Sequence, residues 1–437
     1  MINRDQYLNR LISKMNNGLV KVITGIRRVG KSYLLFNIFD SYLKSIGISD
    51  DRIIKIALDK IEFEALRNPE KLYSYILERI NGNDSFYIFI DEIQFSYRIK
   101  KKDIKVDDIA PEDRDLAYTT FYDVLNDLMS RKNLDLYVTG SNSRMLSKDI
   151  ATTFRDRGAV IEVFPLTFSE FLEYKKIEKT DAWQEYSTYG GMPLAIMEND
   201  EKEKEAYLKS LFSRIYFSDI KERYRLKDED ALERVTDAVL SSVGSLTNPH
   251  KLKNALCSTY GTRISDQTVK NYLEYLEDSF LIKRAERYDI KGKMYLNYPS
   301  KYYATDIGIR NARLNFRQQE MPHIMENIIY NELISRGYSV DVGVVEVSHT
   351  ENGKQTKTNL EIDFIVNQKR ERTYIQSAFN IYDEAKRQQE IRPLKGSGDF
   401  FRKIVITNGN EKKWQDDDGI IYIGIIPFLL DKQMLET

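Results

Sequence analysis

Short apolar runs rich in β-branched and aromatic side chains recur through the first 165 residues. They cover residues 20–24, 53–58, 86–90, 134–139 and 159–164, and segments of mixed polarity with helical spacing separate most of them. Continuous apolar runs of this length predict strands buried on both faces. Strands alternating with helices predict a parallel sheet covered on both sides.

Beyond about residue 230 the pattern changes. Residues 231–243 are amphipathic, and 249–256 read as a second helix opened by Thr247-Asn248 as cap and Pro249 at its first position. Residues 265–276 form a third, capped by Ser265, with Val269, Tyr272, Leu273 and Leu276 as its apolar stripe. Residues 280–284 and 291–295 read as strands joined by a turn. Helices followed by a β-wing predict a winged helix, with Gln267, Thr268, Lys270 and Asn271 outward at the start of the recognition helix. Such side chains reach bases or phosphates. The helix also carries Asp266 and Glu274, and the same arrangement serves as a protein-interaction module.

The first strand runs directly into Gly25-Ile26-Arg27-Arg28-Val29-Gly30-Lys31-Ser32, and a helical run, 33–39, follows. This is the pattern G-x-x-x-x-G-K-[ST] in its required strand–loop–helix setting. Backbone N–H groups of the loop and the helix N-terminus point at a β-phosphate. Lys31 reaches the β/γ-oxygens and Ser32 ligates Mg2+; Gly25, Arg28, Gly30 and Tyr33 complete the expected nucleotide-binding set. The run 86–90 ends in Asp91-Glu92. Adjacent carboxylates at the end of a buried strand are costly without a cation. Asp91 is expected to hold the metal shell and Glu92 to activate water. After 134–139 comes Gly140-Ser141-Asn142-Ser143, where Ser141 and Asn142 are candidates to touch the γ-phosphate; the same residues also make an ordinary turn. Arg144, Arg155 and Arg157 follow; each reads either as a surface arginine or as a candidate arginine finger, in cis or on a neighbouring subunit, with Arg157 the one taken as candidate. Action in trans would require a homo-oligomer. The charged stretch between Glu92 and Phe121, with its cluster 98–102, reads as a long solvated loop or as one that touches nucleic acid or a partner protein.

Composition narrows the rest. With 66 basic and 67 acidic residues among 437, the chain has no global basic footprint, so any DNA surface must be local. One cysteine, Cys257, excludes disulfides and cysteine-rich zinc sites, and the three histidines lie far apart. No apolar run is long enough to span a membrane and the N-terminus lacks a signal-peptide pattern, so a cytoplasmic protein without membrane partners is expected.

The loop 25–32, Ile90-Asp91-Glu92-Ile93-Gln94, Thr139-Gly140-Ser141-Asn142-Ser143 and Phe164-Pro165-Leu166-Thr167-Phe168-Ser169-Glu170-Phe171 occur in that order. Together they resemble a large bacterial and archaeal family of AAA-type ATPases in which a winged helix and a degenerate restriction-endonuclease-like domain of unknown function follow the ATPase. The resemblance implies strand order 5-1-4-3-2 and kinship with nucleotide-switch ATPases of signal transduction. Tyr189-Gly190-Gly191-Met192-Pro193-Leu194 is similar to the G-x-P loop of those relatives, which implies that Pro193 packs on adenine from a helical lid. A Gly-Gly-x-Pro run also makes an inter-helix turn.

Residues 326–333, 337–340, 361–366 and 374–378 resemble a restriction-endonuclease-like core. Active members ligate Mg2+ with a helix Glu, a strand Asp and a second acid, and place a lysine two residues later. Glu326 and Asp363 match, but Gln376 replaces the second acid and Ala378 stands at the lysine position, with Lys386 nearby in sequence. A non-catalytic shell is the expectation.

The expected fold is thus α/β, with a P-loop AAA-type domain (1–175), a helical lid (176–228), a winged helix (229–318) and an inactive nuclease-like domain (319–437). The expected function is Mg2+-dependent ATP hydrolysis coupled to movement of the winged helix and tail, acting on DNA or a partner protein. An ATP-regulated DNA nuclease and a slow-turnover nucleotide-switch scaffold are the alternatives.

Overall fold

The computed structural model describes residues 2–435 apart from 83, 103, 105–107, 141–157, 227, 262, 318–319, 352–353, 369–370 and 382. Contacts divide the chain into two compact units, Met1–Val163 and Phe164–Thr437.

The first unit is built on five parallel strands: β1 (Val20–Thr24), β2 (Ile53–Ala57), β3 (Phe86–Asp91), β4 (Leu134–Thr139) and β5 (Gly158–Glu162). Their order, β2-β3-β4-β1-β5, is 5-1-4-3-2 read from the opposite edge. Strands β1, β3 and β4 are buried at every position, as runs covered on both faces must be. One face of the sheet packs Ile56, Ile88, Ile90 and Val138 against Leu72 and Ile76 of α1 (Pro69–Leu77) and Leu125 and Leu128 of α2 (Phe121–Met129). Asn68 caps α1 ahead of Pro69, and Thr120 with Asp123 forms a capping box on α2. Elsewhere Phe39, Phe89 and Tyr137 cluster with ring centroids 4.8–5.7 Å apart. The buried pair Lys21–Asp135 ties β1 to β4, and Asp135 also accepts from Tyr137 Oη at 2.7 Å and from the Asn16 N–H at 3.0 Å. Because all five strands are parallel, the loops after β1, β3 and β4 leave from one edge. That edge includes the point where the strand order reverses, the usual place for a ligand in an open α/β sheet.

The second unit starts with short helices. Residues 164–171 belong to it: the Leu166 N–H donates to Gly191 O at 2.8 Å, Tyr186 Oη donates to Leu166 O at 2.9 Å, and Phe168 meets the Trp183 and Tyr186 rings edge-on at 6.2 and 5.6 Å. These contacts draw the unit boundary ahead of residue 175. Three helices follow, α3 (Glu229–Ser241), α4 (Pro249–Tyr260) and α5 (Asp266–Asp278). Asn248 caps α4 with Pro249 at its first position, and Ser265 caps α5, as their sequences predict.

The hairpin β6 (Ile282–Asp289) and β7 (Met294–Ala304) does not stand apart as a wing. Strand β6 pairs in parallel with β8 (Ser339–Glu351), so the hairpin is one edge of an eight-stranded mixed sheet. Within that sheet, β8, β9 (Lys354–Gln368) and β10 (Glu371–Ala378) form an antiparallel meander preceded by α6 (Met321–Ser335). Helix α7 (Glu384–Gly396) then crosses over to β11 (Arg402–Thr407), parallel to β10. Ile362, Ile365, Tyr374, Leu394 and Val405 fill the core beneath α7. Among the described residues no helix is long and apolar enough to cross a membrane.

Candidate active site

The loop after β1 turns sharply because Gly25, Arg28 and Gly30 all hold positive φ (+134°, +68° and +97°). At Gly25 a Cβ would lie 2.2 Å from Val163 O, so only glycine lets this loop pass the residue that follows β5. The helix that follows begins α-helically at Lys31–Tyr33 and widens to a π-helix over Leu34–Phe39, a form frequent at functional sites.

Lys31 is buried, and its Nζ donates to the loop's own carbonyls, Gly25 O at 2.9 Å and Ile26 O at 3.1 Å. Burial pulls its pKa down to about 8, against the opposing pull of Glu92 and Asp91. An ammonium held only by neutral carbonyls in a desolvated loop is under-compensated, and a phosphate would be a stronger partner.

Asp91 is the last residue of β3 and is buried. Its carboxylate accepts from Thr139 Oγ1 and from the Ser32 hydroxyl, and burial raises its pKa despite both bonds. Glu92 follows in the left-handed region (φ +56°), unusual for a non-glycine residue. Its N–H donates to Thr139 Oγ1 at 3.0 Å, and Gln94 Nε2 donates to its carboxylate. Burial raises its pKa too, while Lys31, Gln94 and Arg27 pull it back. The two acids are therefore desolvated neighbours that call for a cation. The Ser32 hydroxyl and Asp91 carboxylate are the hard oxygen donors that suit Mg2+.

A cleft of ≈ 270 Å3 opens over these groups, lined by Arg27, Arg28, Gly30, Lys31, Ser32, Tyr33, Asp59, Asp91, Glu92 and Phe95. Gly25 underlies this loop, so Gly25, Arg28, Gly30, Lys31, Ser32, Tyr33, Asp91 and Glu92 come together in one place. Asn142 and Arg157, with Ser141, Arg144 and Arg155, lie outside the described residues. Pro193 is in the second unit, half-buried at the first position of a helix (Pro193–Met197). The close approach permitted at Gly191 is met inside that unit: a Cβ there would sit 2.2 Å from Leu166 O, and the Gly191 N–H donates to buried Asp306 at 2.7 Å.

Sequence reasoning gave no role to Thr139, Asp59 or Gln94. Thr139 bridges both acids because β3 and β4 are adjacent, with Ile90 opposite Val138. Asp59 follows β2, whose Ala57 lies opposite Asp91. Both depend on sheet order; the only local signal was that each ends or follows an apolar run.

In the second unit, Glu326 of α6 and Asp363 of β9 also come together. Between them sits the ammonium of Lys301 from β7, 2.8 Å from Glu326 Oε1, 3.1 Å from Asp363 Oδ1 and 2.8 Å from Glu361 Oε1. Tyr303 Oη donates to Glu326 Oε1 at 2.7 Å, and the Ser377 N–H to Asp363 Oδ2 at 2.9 Å. Gln376 is buried, placing Nε2 3.4 Å from Glu390 and Oε1 3.4 Å from the Asp363 N–H. The lysine of this cluster is thus Lys301, and Lys386 is exposed on α7.

Residues 17–172 match the AAA domain family, and 180–320 and 322–428 match two domains of unknown function (DUF8612 and DUF4143). An uncharacterized protein of Haemophilus influenzae is 33% identical over 98% of this chain and 99% of its own length. An uncharacterized protein of Methanocaldococcus jannaschii is 28% identical over 98% of this chain and 90% of its own. Among solved structures, a Walker-type ATPase of Pyrococcus abyssi aligns at 14% identity and a TM-score of 0.48, over 72% of this chain and 96% of that one. With a phosphate-loop site on a 5-1-4-3-2 sheet and a relative at this identity along its whole length, the chain belongs to the AAA-type ATPase family, among members whose AAA domain is followed by domains of unknown function.

Proposed function

We propose that the protein binds and hydrolyses ATP in the presence of Mg2+ and uses its nucleotide state to reposition its second unit on DNA or a partner protein. The observation that carries this reading is the convergence of Lys31, Ser32, Asp91, Glu92 and Thr139 on one cleft at the end of a parallel sheet. Lys31 would exchange two loop carbonyls for phosphate oxygens. Ser32 and Asp91 would hold Mg2+, which neutralises phosphate charge when bound. Glu92, its pKa raised by burial and its backbone fixed by Thr139, would orient and deprotonate the attacking water. Arg157 or another arginine of its segment would supply the finger, from the same chain or from a second copy. Pro193 would contact adenine.

The reading of the second unit takes α3–α5 with the β6–β7 hairpin as a winged helix whose hairpin is fused to the edge of the larger sheet, and the α6–meander–α7–β11 connectivity as a nuclease-like core. Gln267 and Lys270 are exposed at the start of α5, which supports contact with nucleic acid. Asp266 beside them is engaged by His250 at 3.0 Å and Lys253 at 3.4 Å, which lessens the positive field there. One observation favours slow turnover: Gln94 donates to one Glu92 carboxylate oxygen, which ties up part of the base's acceptor capacity. The test is phosphate release from ATP by the purified chain in Mg2+, with and without duplex DNA. Mg2+-dependent release that DNA alters by severalfold supports the proposal; no release under either condition contradicts it.

A further inference from the structure

The nuclease resemblance implies a divalent cation between Glu326 and Asp363, and the residues present do not fit one. The focus of the carboxylates is taken by the Lys301 ammonium, at ordinary ion-pair distances from three of them at once. Lys301 is buried and cannot swing to solvent without breaking all three pairs. Tyr303 Oη and the Ser377 N–H occupy further carboxylate lone pairs on the Glu326 and Asp363 sides. The position that would hold a second acid carries neutral Gln376, which spans Asp363 and Glu390 instead of facing a cation. Among the described residues, no group of three or more His, Cys, Asp or Glu side chains is arranged to hold a metal ion.

We infer that Lys301 is a resident cation standing in for the divalent metal of a nuclease-like site, so that the C-terminal core neither takes up metal nor cuts nucleic acid. This rests on the nuclease-like reading of the second unit and deepens it. One charge then does two jobs. It neutralises acids on α6 and β9, and it pins the hairpin strand β7, an edge strand of the sheet, onto that core. A metal would serve the first purpose only. The ammonium is covalently part of β7, so the hairpin and the core are held as one piece at any metal concentration.

The experiment uses the nucleotide-free full-length chain and MnCl2 as probe, with bound Mn2+ counted by electron paramagnetic resonance. The wild type should show no Mn2+ that Asp363→Asn removes, and no Mn2+-dependent cleavage of DNA. Lys301→Met should lower the Tm by roughly 10 °C, gain one Mn2+ per chain, recover part of the lost Tm when Mn2+ is added, and lose that gain in Lys301→Met/Asp363→Asn. Wild-type Mn2+ uptake or DNA cleavage abolished by Asp363→Asn would overturn the inference while leaving the nuclease-like core standing. A folded Lys301→Met that takes up no Mn2+ would overturn it as well, without touching the fold reading, which rests on strand connectivity. If Lys301→Met does not fold even with Mn2+, the wild-type and Asp363→Asn arms decide alone.

Discussion

Two buried lysines sit among acids in this protein, and their settings are opposite. Lys31 touches no carboxylate directly; it rests on two backbone carbonyls, under an open cleft, with Asp91 and Glu92 close enough only to pull on it through space. Lys301 touches three carboxylates and is enclosed. Burial lowers the pKa of the first to about 8, whereas the acids around the second outweigh burial and raise it well above the usual lysine range. The lesson is that a lysine among acids is not a functional signature by itself. What matters is whether its partners are ones a ligand can displace. Two neutral carbonyls can be displaced by a phosphate; three carboxylates cannot.

The largest effect that could break this comparison comes from deleting each ammonium. Lys31→Ala should weaken ATP binding at least about 100-fold by fluorescence titration, since a charge-assisted bond to phosphate is lost. Lys301→Met, in folded protein, should leave ATP affinity within about threefold. Equal losses in both would erase the distinction between a ligand lysine and a structural one.

A smaller effect sharpens it through pH. With an unliganded pKa of about 8, Lys31 loses its proton as pH rises through that value, while bound phosphate would hold the proton on. The pKa is thus higher in the complex, so affinity is fully present below about pH 8 and declines above it, with proton uptake on binding. Between pH 7 and 9 the dissociation constant should rise about tenfold, and calorimetry in buffers of different ionisation enthalpy should register the uptake. The Lys31→Ala protein should show a flat profile. A wild-type affinity unchanged to pH 9 would contradict a Lys31 pKa near 8 that phosphate binding raises.

Much of the first unit was legible in the sequence, because its signals are local. A five-residue apolar run followed by G-x-x-x-x-G-K-S specifies strand, loop and helix together, and Asp91-Glu92 announces itself at the end of another run. The bridging role of Thr139 was not legible, since it depends on β4 lying beside β3, a non-local fact. Arg27, without a role in the sequence, lies where its charge works through space to lower the Glu92 pKa. The tail was legible only as a departure from a pattern. Gln376 and Ala378 said that something was missing; the compensating Lys301 lies on a hairpin that sequence spacing assigned to a separate wing. Only the pairing of β6 with β8 brings that hairpin into the same sheet. The Gly190–Pro193 loop resembles one that brings a proline to adenine, yet the close neighbour of Gly191, Leu166, lies within its own unit.

The central claim is that the chemistry of this chain is carried by Glu92 in the cleft after β3. Single-turnover hydrolysis of ATP by wild type and Glu92→Gln, with binding measured on the same preparations, tests it most directly. ATP affinity should stay within about threefold, because Lys31 and Ser32 are intact, while the hydrolysis rate should fall at least about 100-fold with the loss of the base. A Glu92→Gln protein that turns over ATP at the wild-type rate would contradict the account.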